Sequence, residues 1–450
     1  MKKFLSFVSF FAISVLMFCG TSQAWQPGQP HEKYTLEKIV ILSRHNIRSP
    51  LTAKGGILDK ATPHEWFAWT SAPGELSVLG GQMEAMMGQF FRKWLVSENF
   101  ITENYIPKSG EFLFYANSKQ RTIATAQFFS SGLLPAANVR IKHTRPVGEH
   151  DPVFNPQLTF SGKNYRRLAL SQFNMLGGED MLKGKDKRLS ASFAILEKAL
   201  DFQQSAMAEE KRSAAAAGQA KQEFVLPKKA DVHFTAKDTK ITLESGKAPS
   251  MRGTFTAAVQ AADALVLQYY EDPGYAKTVF GHDLSFEEMQ SIGDISNVYG
   301  AMLMKTPAVA ANVANPLLKL IYKEFSDKKR RFSFLCGHDS NIASVLSALN
   351  SGKYSLPGTI ETGAPIGGKL MFSKWRGQDG EEYVSVDMVY MTSGQIAGRE
   401  TLSMQNPPAS VAVSLQDIPQ NEDGFYLFSD IKERFNDAIK SYRQLKEIAK

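Results

Sequence analysis

The stretch Ile39-Val40-Ile41-Leu42-Ser43-Arg44-His45-Asn46-Ile47-Arg48-Ser49-Pro50 joins an apolar run to a group of basic side chains. Its four leading apolar residues have the length and composition of a buried strand. The basic residues follow where that strand should give way to a loop. A guanidinium group binds a phosphate dianion through paired hydrogen bonds, and a neighbouring imidazole can act as a nucleophile. The stretch therefore predicts a strand end that binds phosphate and carries out phosphoryl transfer.

A solvated sheet edge is the competing interpretation of basic residues after a strand. It would be preferred for a lone Arg-His pair. Here Arg, His, Arg and Pro occupy four of seven positions between Arg44 and Pro50. Such a coincidence is rare at average composition. The functional interpretation is therefore favoured, provided that partners occur elsewhere in the chain.

Two further segments supply such partners. Residues 112–117 form an apolar run, after which Ser118 predicts a helix N-cap and Arg121 falls in the first turn, where backbone donors also favour an anion. Another apolar run precedes His338 and Asp339, and a helical pattern follows them. Ligands of open α/β sheets bind outside the carboxyl ends of strands. We therefore expect the three segments to converge there.

A second Gly-His-Asp triplet occurs at Gly281-His282-Asp283. It lacks a strong preceding strand, and Ser285-Phe286-Glu287-Glu288 behind it has the pattern of a capping box. We assign this triplet to surface structure. Five other histidines show no recognised metal-ligand spacing and are interpreted as isolated polar or core residues: His31, His64, His143, His150 and His233.

These motifs together resemble the histidine acid phosphatase family. Arg-His-x-x-Arg-x-Pro, a later helix-borne arginine and a C-terminal His-Asp carry the resemblance. It is closest to the bacterial periplasmic glucose-1-phosphatases, which also carry Asn rather than Gly after the histidine, as Asn46 does here. Four stretches extend the likeness: 115–129, 267–271, 337–344 and 365–369. The resemblance covers roughly the whole mature chain and is weakest across about residues 160–250.

The resemblance implies a fold of the α/β class, with a phosphoglycerate mutase-like core and an inserted, mainly helical cap. Apolar runs and helical patterns alternate over residues 25–150 and 275–450, which we assign to the core. Residues 151–274 are the predicted cap. The cap contains a polar stretch at 207–222, which is either a solvated helix or a mobile connection, and a helix candidate at 257–270.

Residue roles also follow from the resemblance. His45 would attack phosphorus to form a phosphohistidine, and Asp339 would protonate the leaving oxygen. Four side chains would bind the phosphoryl oxygens: Arg44, Arg48, Arg121 and His338. No metal or other cofactor is expected, because the arginines supply the positive charge. A neutral imidazole and a protonated carboxyl are both required, which favours an acidic to mild pH optimum.

Glucose-1-phosphatases place a glutamate of the cap in the substrate site. The local match Leu243-Glu244-Ser245-Gly246 makes Glu244 the candidate, although a solvated loop carboxylate explains it equally well. Asp263 is a second candidate, for which a solvated helix face is the preferred interpretation.

The N-terminus has the pattern of an export signal. A basic start at Lys2 and Lys3 precedes an apolar stretch, and Ser22-Gln23-Ala24 is a plausible cleavage site. Residues 1–24 are therefore predicted to be a signal peptide, with a periplasmic or secreted mature protein that has no membrane segment. A lipoprotein anchored at Cys19 is the competing interpretation, and Phe18 fits it poorly.

Composition adds two expectations. The formal net charge of +7 suits a small anionic substrate but is common in other proteins, and no dense basic arm indicates nucleic-acid binding. The oligomeric state is left open. Family members usually carry several disulfides, whereas this chain has two cysteines. Since Cys19 lies in the predicted signal, Cys336 would remain alone, as a small buried hydrophobe.

Four functions are compatible with these observations. A glucose-1-phosphatase-like acid phosphatase acting on a phosphomonoester is preferred. A broader phosphatase or phytase shares the chemistry, and Asn46 argues mildly against it. A phosphoglycerate mutase-type transferase fits poorly with export. A non-catalytic sugar-phosphate binding protein would not need both His45 and Asp339.

Overall fold

The computed structural model describes residues 32–149, 151–219, 231–272, 274 and 279–450. The predicted signal peptide and its competing lipoprotein site therefore lie outside the described residues, as do His31 and His150. No described helix is both long enough and apolar enough to cross a membrane.

The described part of the chain contains nine strands. They are β1 Tyr34–Arg44, β2 Phe112–Ala116, β3 Lys240–Thr242, β4 Ser250–Arg252, β5 Phe332–Gly337, β6 Lys369–Gly377, β7 Glu382–Tyr390, β8 Ala409–Ala412 and β9 Tyr426–Leu427. All except β3 and β4 form one sheet in the order β2-β5-β1-β6-β7-β8, with β9 also paired to β7.

Fourteen α-helices are found in the same described residues. They are α1 Ile57–Ala61, α2 Val78–Ser97, α3 Gln120–Leu133, α4 Lys163–Phe173, α5 Glu179–Leu182, α6 Lys187–Ala199, α7 Ala206–Gln219, α8 Phe255–Glu271, α9 Phe286–Lys305, α10 Pro307–Val313, α11 Asn315–Ser326, α12 Asp339–Ala348, α13 Ser393–Ala397 and α14 Phe428–Ile448. A short π-helical turn lies between α4 and α5, and a 3₁₀ turn lies between α6 and α7.

Strand β1 lies in the middle of the sheet, parallel to β5 on one side and antiparallel to β6 on the other. Its residues 39–42 are completely buried, as a strand covered on both faces requires. Its register with β5 ends at the pair Arg44 and Gly337. Strand β2 also runs parallel to β5. The carboxyl ends of β1, β2 and β5 therefore meet at one edge of the sheet.

The two faces of β1 belong to two hydrophobic clusters. Ile39 and Ile41 pack in the cluster that includes α2 and α3, whereas Val40 and Leu42 pack in the cluster of α11, α12 and α14. This is the alternation that a strand imposes. Helices consequently cover both sides of the strand that carries Arg44, and the loop after it is held between two packed layers.

The predicted fold class is confirmed, because a mixed α/β sheet is combined with a helical segment. Helices α4 to α8 and the small β3–β4 hairpin occupy the span between α3 and α9. The helix predicted at 257–270 is observed as α8. Residues 207–219 of the polar stretch belong to α7, and residues 220–222 lie outside the described residues. We retain as a proposal the division into a core of residues 25–150 and 275–450 and a cap of residues 151–274.

The predicted N-cap at Ser118 is wrong. Helix α3 begins two residues later, and Lys119 precedes it without a side-chain cap. The hydroxyl of Ser118 instead accepts a hydrogen bond from the backbone N–H of Arg145, at 3.2 Å. That contact holds the turn after β2 and removes the oxygen that capping would need. The capping box predicted at Ser285 is confirmed at the start of α9.

Candidate active site

The loop that follows β1 is anchored to the end of β5. The backbone N–H of His45 donates to the carbonyl of Gly337 at 3.0 Å, and that of Asn117 donates to the carbonyl of Cys336 at 2.9 Å. The three predicted segments therefore meet at a single strand edge. His45 and His338 lie edge to face there, with their ring centroids 5.4 Å apart.

His45 is buried and has a defined hydrogen-bond partner. Its Nδ1 lies 2.9 Å from the carbonyl oxygen of Asn46, which can only accept. The proton of the neutral ring therefore belongs on Nδ1, and Nε2 keeps a free electron pair. Burial, reinforced by the charge of Arg121 and other basic neighbours, lowers the pKa of His45 well below its usual 6.5. The ring is thus neutral in mild acid.

Three guanidinium groups surround this ring. Arg44 donates to the carbonyl of Ala364 at 2.6 Å, Arg121 donates to that of Gly74 at 3.2 Å, and Arg48 donates to that of Ser49 at 3.0 Å. Among the described residues, the Nε atoms of all three arginines are buried without a hydrogen-bond partner. Buried donors of this kind are costly unless an acceptor binds them. The cluster is suited to an anion with several oxygens.

His338 can serve as a further donor to such an anion. The side-chain amide of Asn117 lies 2.7 Å from its Nε2, and a donated hydrogen bond there leaves the proton of the neutral ring on Nδ1. Burial, followed by the charge of Arg121, lowers the pKa of His338. A neutral His338 adds no further full positive charge to the site.

Asp339 is the first residue of α12 and lies in the open part of the cluster. Its side chain is 59% exposed, and its Oδ2 lies 3.9 Å from Nη2 of Arg44. Burial is the largest single effect and favours the neutral acid, but the charges of Arg44 and its other basic neighbours, together with the backbone N–H of Ser340, outweigh it and lower the pKa of Asp339. Without bound substrate, the carboxyl group is therefore ionised in mild acid.

Asp263 reaches the cluster from α8. Its Oδ2 accepts a hydrogen bond from Nη2 of Arg48 at 3.0 Å, and its side chain is only 25% exposed. The preferred interpretation of Asp263 as part of a solvated helix face is therefore wrong. Helix α8 is buried along most of its length and presents Asp263 towards the loop after β1.

Glu244 is not brought to this cluster. Its carboxylate is half exposed and pairs with Lys247 at 2.5 Å, and its other charged neighbours are Arg252 and Arg166. No contact joins it to His45 or to any of the three site arginines within the described residues. The proposal that Glu244 contacts substrate receives no geometric support.

Two buried side chains that were not predicted as site residues, Glu361 and Tyr270, stabilise the charge of Arg44. Glu361 lies 3.4 Å from Nη1 of Arg44 and accepts a hydrogen bond from the hydroxyl of Tyr270 at 2.6 Å. Tyr270 belongs to the stretch 267–271 that carried part of the family resemblance, but Glu361 lies in an irregular loop. No periodicity marks such a loop, so only the three-dimensional structure could identify it.

The second Gly-His-Asp triplet lies elsewhere. His282 and His64 both place Nε2 within 3.2 Å of the same carboxylate oxygen of Asp201. Neither ring contacts the arginine cluster, in agreement with the assignment of His282 to a structural role. Among the described residues, no group of three or more histidine, cysteine or carboxylate side chains is arranged to hold a metal ion.

Comparison with known proteins agrees with this geometry. The family model of the histidine phosphatase superfamily (branch 2) matches residues 35–390. The glucose-1-phosphatase of Providencia rettgeri is 32% identical over 432 residues, which cover 93% of this chain and 97% of that protein. That of Salmonella typhimurium is 31% identical over 437 residues, covering 96% and 99% respectively.

A solved structure gives the same result at the level of the fold. The phytase of Citrobacter braakii superposes with a TM-score of 0.77 at 25% identity, covering 91% of this chain and 98% of the phytase. The arginine-flanked histidine, the second strand end with His338 and Asp339, and the family match over most of the chain lead to one assignment. The chain belongs to the histidine phosphatase superfamily, branch 2, and is a phosphomonoester hydrolase of the histidine acid phosphatase type.

Proposed function

We propose that this protein is an exported acid phosphatase that hydrolyses sugar phosphates such as glucose-1-phosphate through a phosphohistidine at His45. One observation carries the proposal. A neutral, buried imidazole with a free Nε2 lies among three arginines whose buried Nε donors have no protein partner. A phosphate group fits this set of donors in number and in charge.

Substrate binding is assigned to the positive cluster. Arg44, Arg48 and Arg121 would donate to the non-bridging oxygens, and Nδ1 of His338 would add a neutral donor. The charge on these oxygens changes as the phosphoryl group is transferred. Donors that already point at the oxygens stabilise the changed charge without rearrangement. This positive charge comes from the chain itself, so the proposal includes no metal or cofactor.

The reaction then proceeds in two displacements. Nε2 of His45 attacks phosphorus, the bond from phosphorus to the leaving oxygen breaks, and Asp339 gives a proton to that oxygen. Water next attacks the phosphohistidine, its proton passes to Asp339, and the bond from phosphorus to Nε2 breaks to release inorganic phosphate. After the second displacement, His45 and Asp339 are again in the states that they had before the first.

Asp339 must be protonated when substrate is bound, although its pKa is lowered in the free protein. The substrate itself supplies the change. A phosphate dianion near Arg44 neutralises the charge that holds the carboxyl group ionised, and it adds negative charge beside it. Both effects raise the pKa of Asp339 in the complex and favour the acid form that the leaving oxygen needs.

The sugar-phosphate substrate is supported by the two glucose-1-phosphatase relatives and by Asn46, which matches the pattern of that branch. A phytase-type activity is the second candidate, because the solved structure described above is a phytase of the same fold. Export is supported by the sequence of residues 1–24. Cleavage after Ala24 would leave Trp25 as the first mature residue, which mass spectrometry of the purified protein can check.

A parallel phosphate-release assay tests the substrate. Glucose-1-phosphate, phytate and an aryl phosphate would be compared at equal concentration between pH 4 and pH 7. We expect kcat/KM to be higher for glucose-1-phosphate than for phytate. Preference for phytate would instead establish the second candidate.

Acid quenching tests the covalent mechanism. Protein mixed with a ³²P-labelled substrate and quenched within milliseconds should carry label on His45, and His45→Ala should remain folded but carry none. Label on an aspartate, or no label during turnover, would disprove the phosphohistidine.

A further inference from the structure

A fully buried ion pair lies behind the loop that carries His45. Nζ of Lys369, at the start of β6, is 2.8 Å from Oε1 of Glu84 on α2, and both side chains have zero exposure. Taking two charges out of water costs several kcal/mol for each ion, and well-packed apolar residues are often at least as stabilising. The pair is therefore poorly explained by stability alone.

Each partner of the ion pair reaches the loop after β1. The other oxygen of Glu84, Oε2, accepts a hydrogen bond from the side-chain amide of Asn46 at 2.7 Å. Lys369 donates to the carbonyl of Gly367 at 2.8 Å, and the N–H of Gly367 donates to the carbonyl of His45 at 3.2 Å. The pair thus restrains the chain at His45, through Gly367, and at the residue that follows it.

The close fit of Gly367 supports the same conclusion. Its φ is +66°, and a Cβ added there would lie 2.6 Å from the side-chain nitrogen of Asn46. Only glycine allows that side chain to pass towards Glu84. The stretch 365–369 and Asn46, which are far apart in sequence, therefore pack directly against each other.

Asn46 connects this network to the chemistry of His45. Its carbonyl accepts from Nδ1 of His45, its N–H donates to Thr125 at 3.1 Å, and its side-chain oxygen accepts from the N–H of Ile47 at 2.9 Å. Rotation of the peptide between Asn46 and Ile47 would move the carbonyl of Asn46 away from Nδ1 of His45. The proton could then occupy Nε2, which would lose its nucleophilic electron pair.

We propose that Glu84 and Lys369 are positioning residues for the nucleophile. Acting through Asn46, they hold the carbonyl that keeps the proton of His45 on Nδ1 and leaves Nε2 free to attack. The ion pair supplies a fixed acceptor for the Asn46 amide, and Lys369 balances the charge of that acceptor. The inference rests on the proposed phosphohistidine but concerns residues that do not touch substrate.

Two charge-neutral double variants isolate the hydrogen bond. E84Q/K369M removes both charges but keeps a side-chain oxygen for the Asn46 amide, whereas E84L/K369M removes the charges and that oxygen. Formation of the phosphoenzyme from an aryl phosphate would be followed in single-turnover experiments, with KM and Tm measured in parallel.

We expect E84L/K369M to form phosphoenzyme roughly 10- to 100-fold more slowly, as the loss of a hydrogen bond to a charged group implies. KM should change by less than about threefold, because the arginines are untouched. E84Q/K369M should recover most of the rate. Tm should be similar in the two variants, so a difference between their rates would report the hydrogen bond to Asn46 and not a loss of stability. Equal rates in the two variants, whether fast or slow, would overturn the proposal.

Two further measurements keep the test independent of folding and of substrate. Asn46→Ala leaves the ion pair intact and should reproduce the slow phosphorylation; a normal rate would overturn the proposal.

The ¹⁵N chemical shifts of the His45 ring report its tautomer without turnover. The Nδ1–H tautomer should dominate in the unmodified protein, and its share should decrease in E84L/K369M. An unchanged tautomer there would count against the inference, whereas failure of the unmodified protein to release phosphate would count only against the proposed function.

Discussion

His45 illustrates how the environment of one residue adapts it to acid. Histidine normally gains a proton near pH 6.5, and the charged ring cannot attack phosphorus. Burial and the neighbouring positive charges lower the pKa of His45, because each of them disfavours the imidazolium ion. The arginines that would bind the substrate thus also keep the nucleophile active at low pH.

This pKa shift predicts the pH dependence of the reaction. As pH falls from 6.5 to 5, kcat/KM should not decrease in the manner of a titrating histidine, since His45 stays neutral below its ordinary pKa. The measurement is kcat/KM against pH with an aryl phosphate whose own ionisation is corrected for. A tenfold loss for each pH unit below 6.5 would show that His45 titrates normally.

The role of Asp339 predicts a dependence on the leaving group. Asp339→Asn should slow alkyl phosphates such as glucose-1-phosphate by about 100-fold or more but slow nitrophenyl phosphates much less, because a good leaving group needs little protonation. Rates across a series of leaving groups would be compared with those of Asp283→Asn, which alters the other Gly-His-Asp triplet. Equal losses across the series would exclude Asp339 as the general acid.

Much of the site could be predicted from individual residues of the sequence, because three short segments each combine a strand end with charged residues. The register of β1 with β5 then brought Arg44 beside Gly337 and His338. Asp263 was a candidate, but its contact with Arg48 could not be deduced, since helix periodicity shows which residues share a face and not what that face meets. Glu84 and Glu361 carried no sequence signal.

Among the secondary-structure elements, α8 has a special relation to the site. It is buried along most of its length, yet it places the carboxylate of Asp263 against Arg48. A bound phosphate would compete with that carboxylate for the same guanidinium group. Helix α8 therefore sets how strongly Arg48 is available to an anion.

Removal of this charge should strengthen product binding. Asp263→Asn relieves repulsion between the carboxylate and phosphate, so we expect the inhibition constant of inorganic phosphate to fall by about 3- to 10-fold. The constant would be measured at low ionic strength, with Asp283→Asn as the control for a lost surface charge. A weaker inhibition by phosphate in Asp263→Asn would contradict this role.

Element boundaries could be predicted where local chemistry decided them. Ser285 and Glu288 close a capping box through their own side chains, so α9 begins as expected. The start of α3 was displaced because Ser118 binds Arg145, 27 residues later. A contact between distant parts of the chain overrides a local signal, and no window of sequence contains both partners.

At the scale of the whole molecule, one buried acid makes stability depend on pH. Asp387 in β7 is almost completely buried, and burial raises its pKa to about 7. The folded state therefore holds a proton that the unfolded chain releases near pH 4. By linkage, the free energy of unfolding falls as pH rises from about 4 to about 7 and is lowest above that range.

Asp387→Asn should remove the part of this dependence that Asp387 contributes. At pH 8 the free energy of unfolding of the variant should exceed that of the unmodified protein by roughly 2–4 kcal/mol, because a buried Asp387 must then either carry a charge or take up a proton at a cost in free energy. At pH 4 the two free energies of unfolding should be nearly equal. Chemical denaturation at the two pH values measures the difference. A stability gain that is the same at both would show that Asp387 does not titrate in this range.

The unusual cysteine content predicts indifference to reductant. Cys336 is a free, fully buried thiol, and burial raises its pKa well above the usual value. The Tm of the protein cleaved after Ala24 should therefore change by less than about 1 °C on addition of a thiol reductant, since Cys336 would be its only cysteine. A marked decrease would reveal a bridge between two chains.

The pairing of β1 also has a consequence for how the protein is made. Ile39 pairs with Phe332, roughly 290 residues later in the chain, so the pairings of β1 join parts of the chain that are distant in sequence. The ribosome delivers the segment around His45 early, but β5 and β6 emerge only near the end of translation. A partly synthesised chain therefore contains His45 without His338, Asp339 and Lys369. The candidate site is complete only when the last strands of the sheet have joined the first.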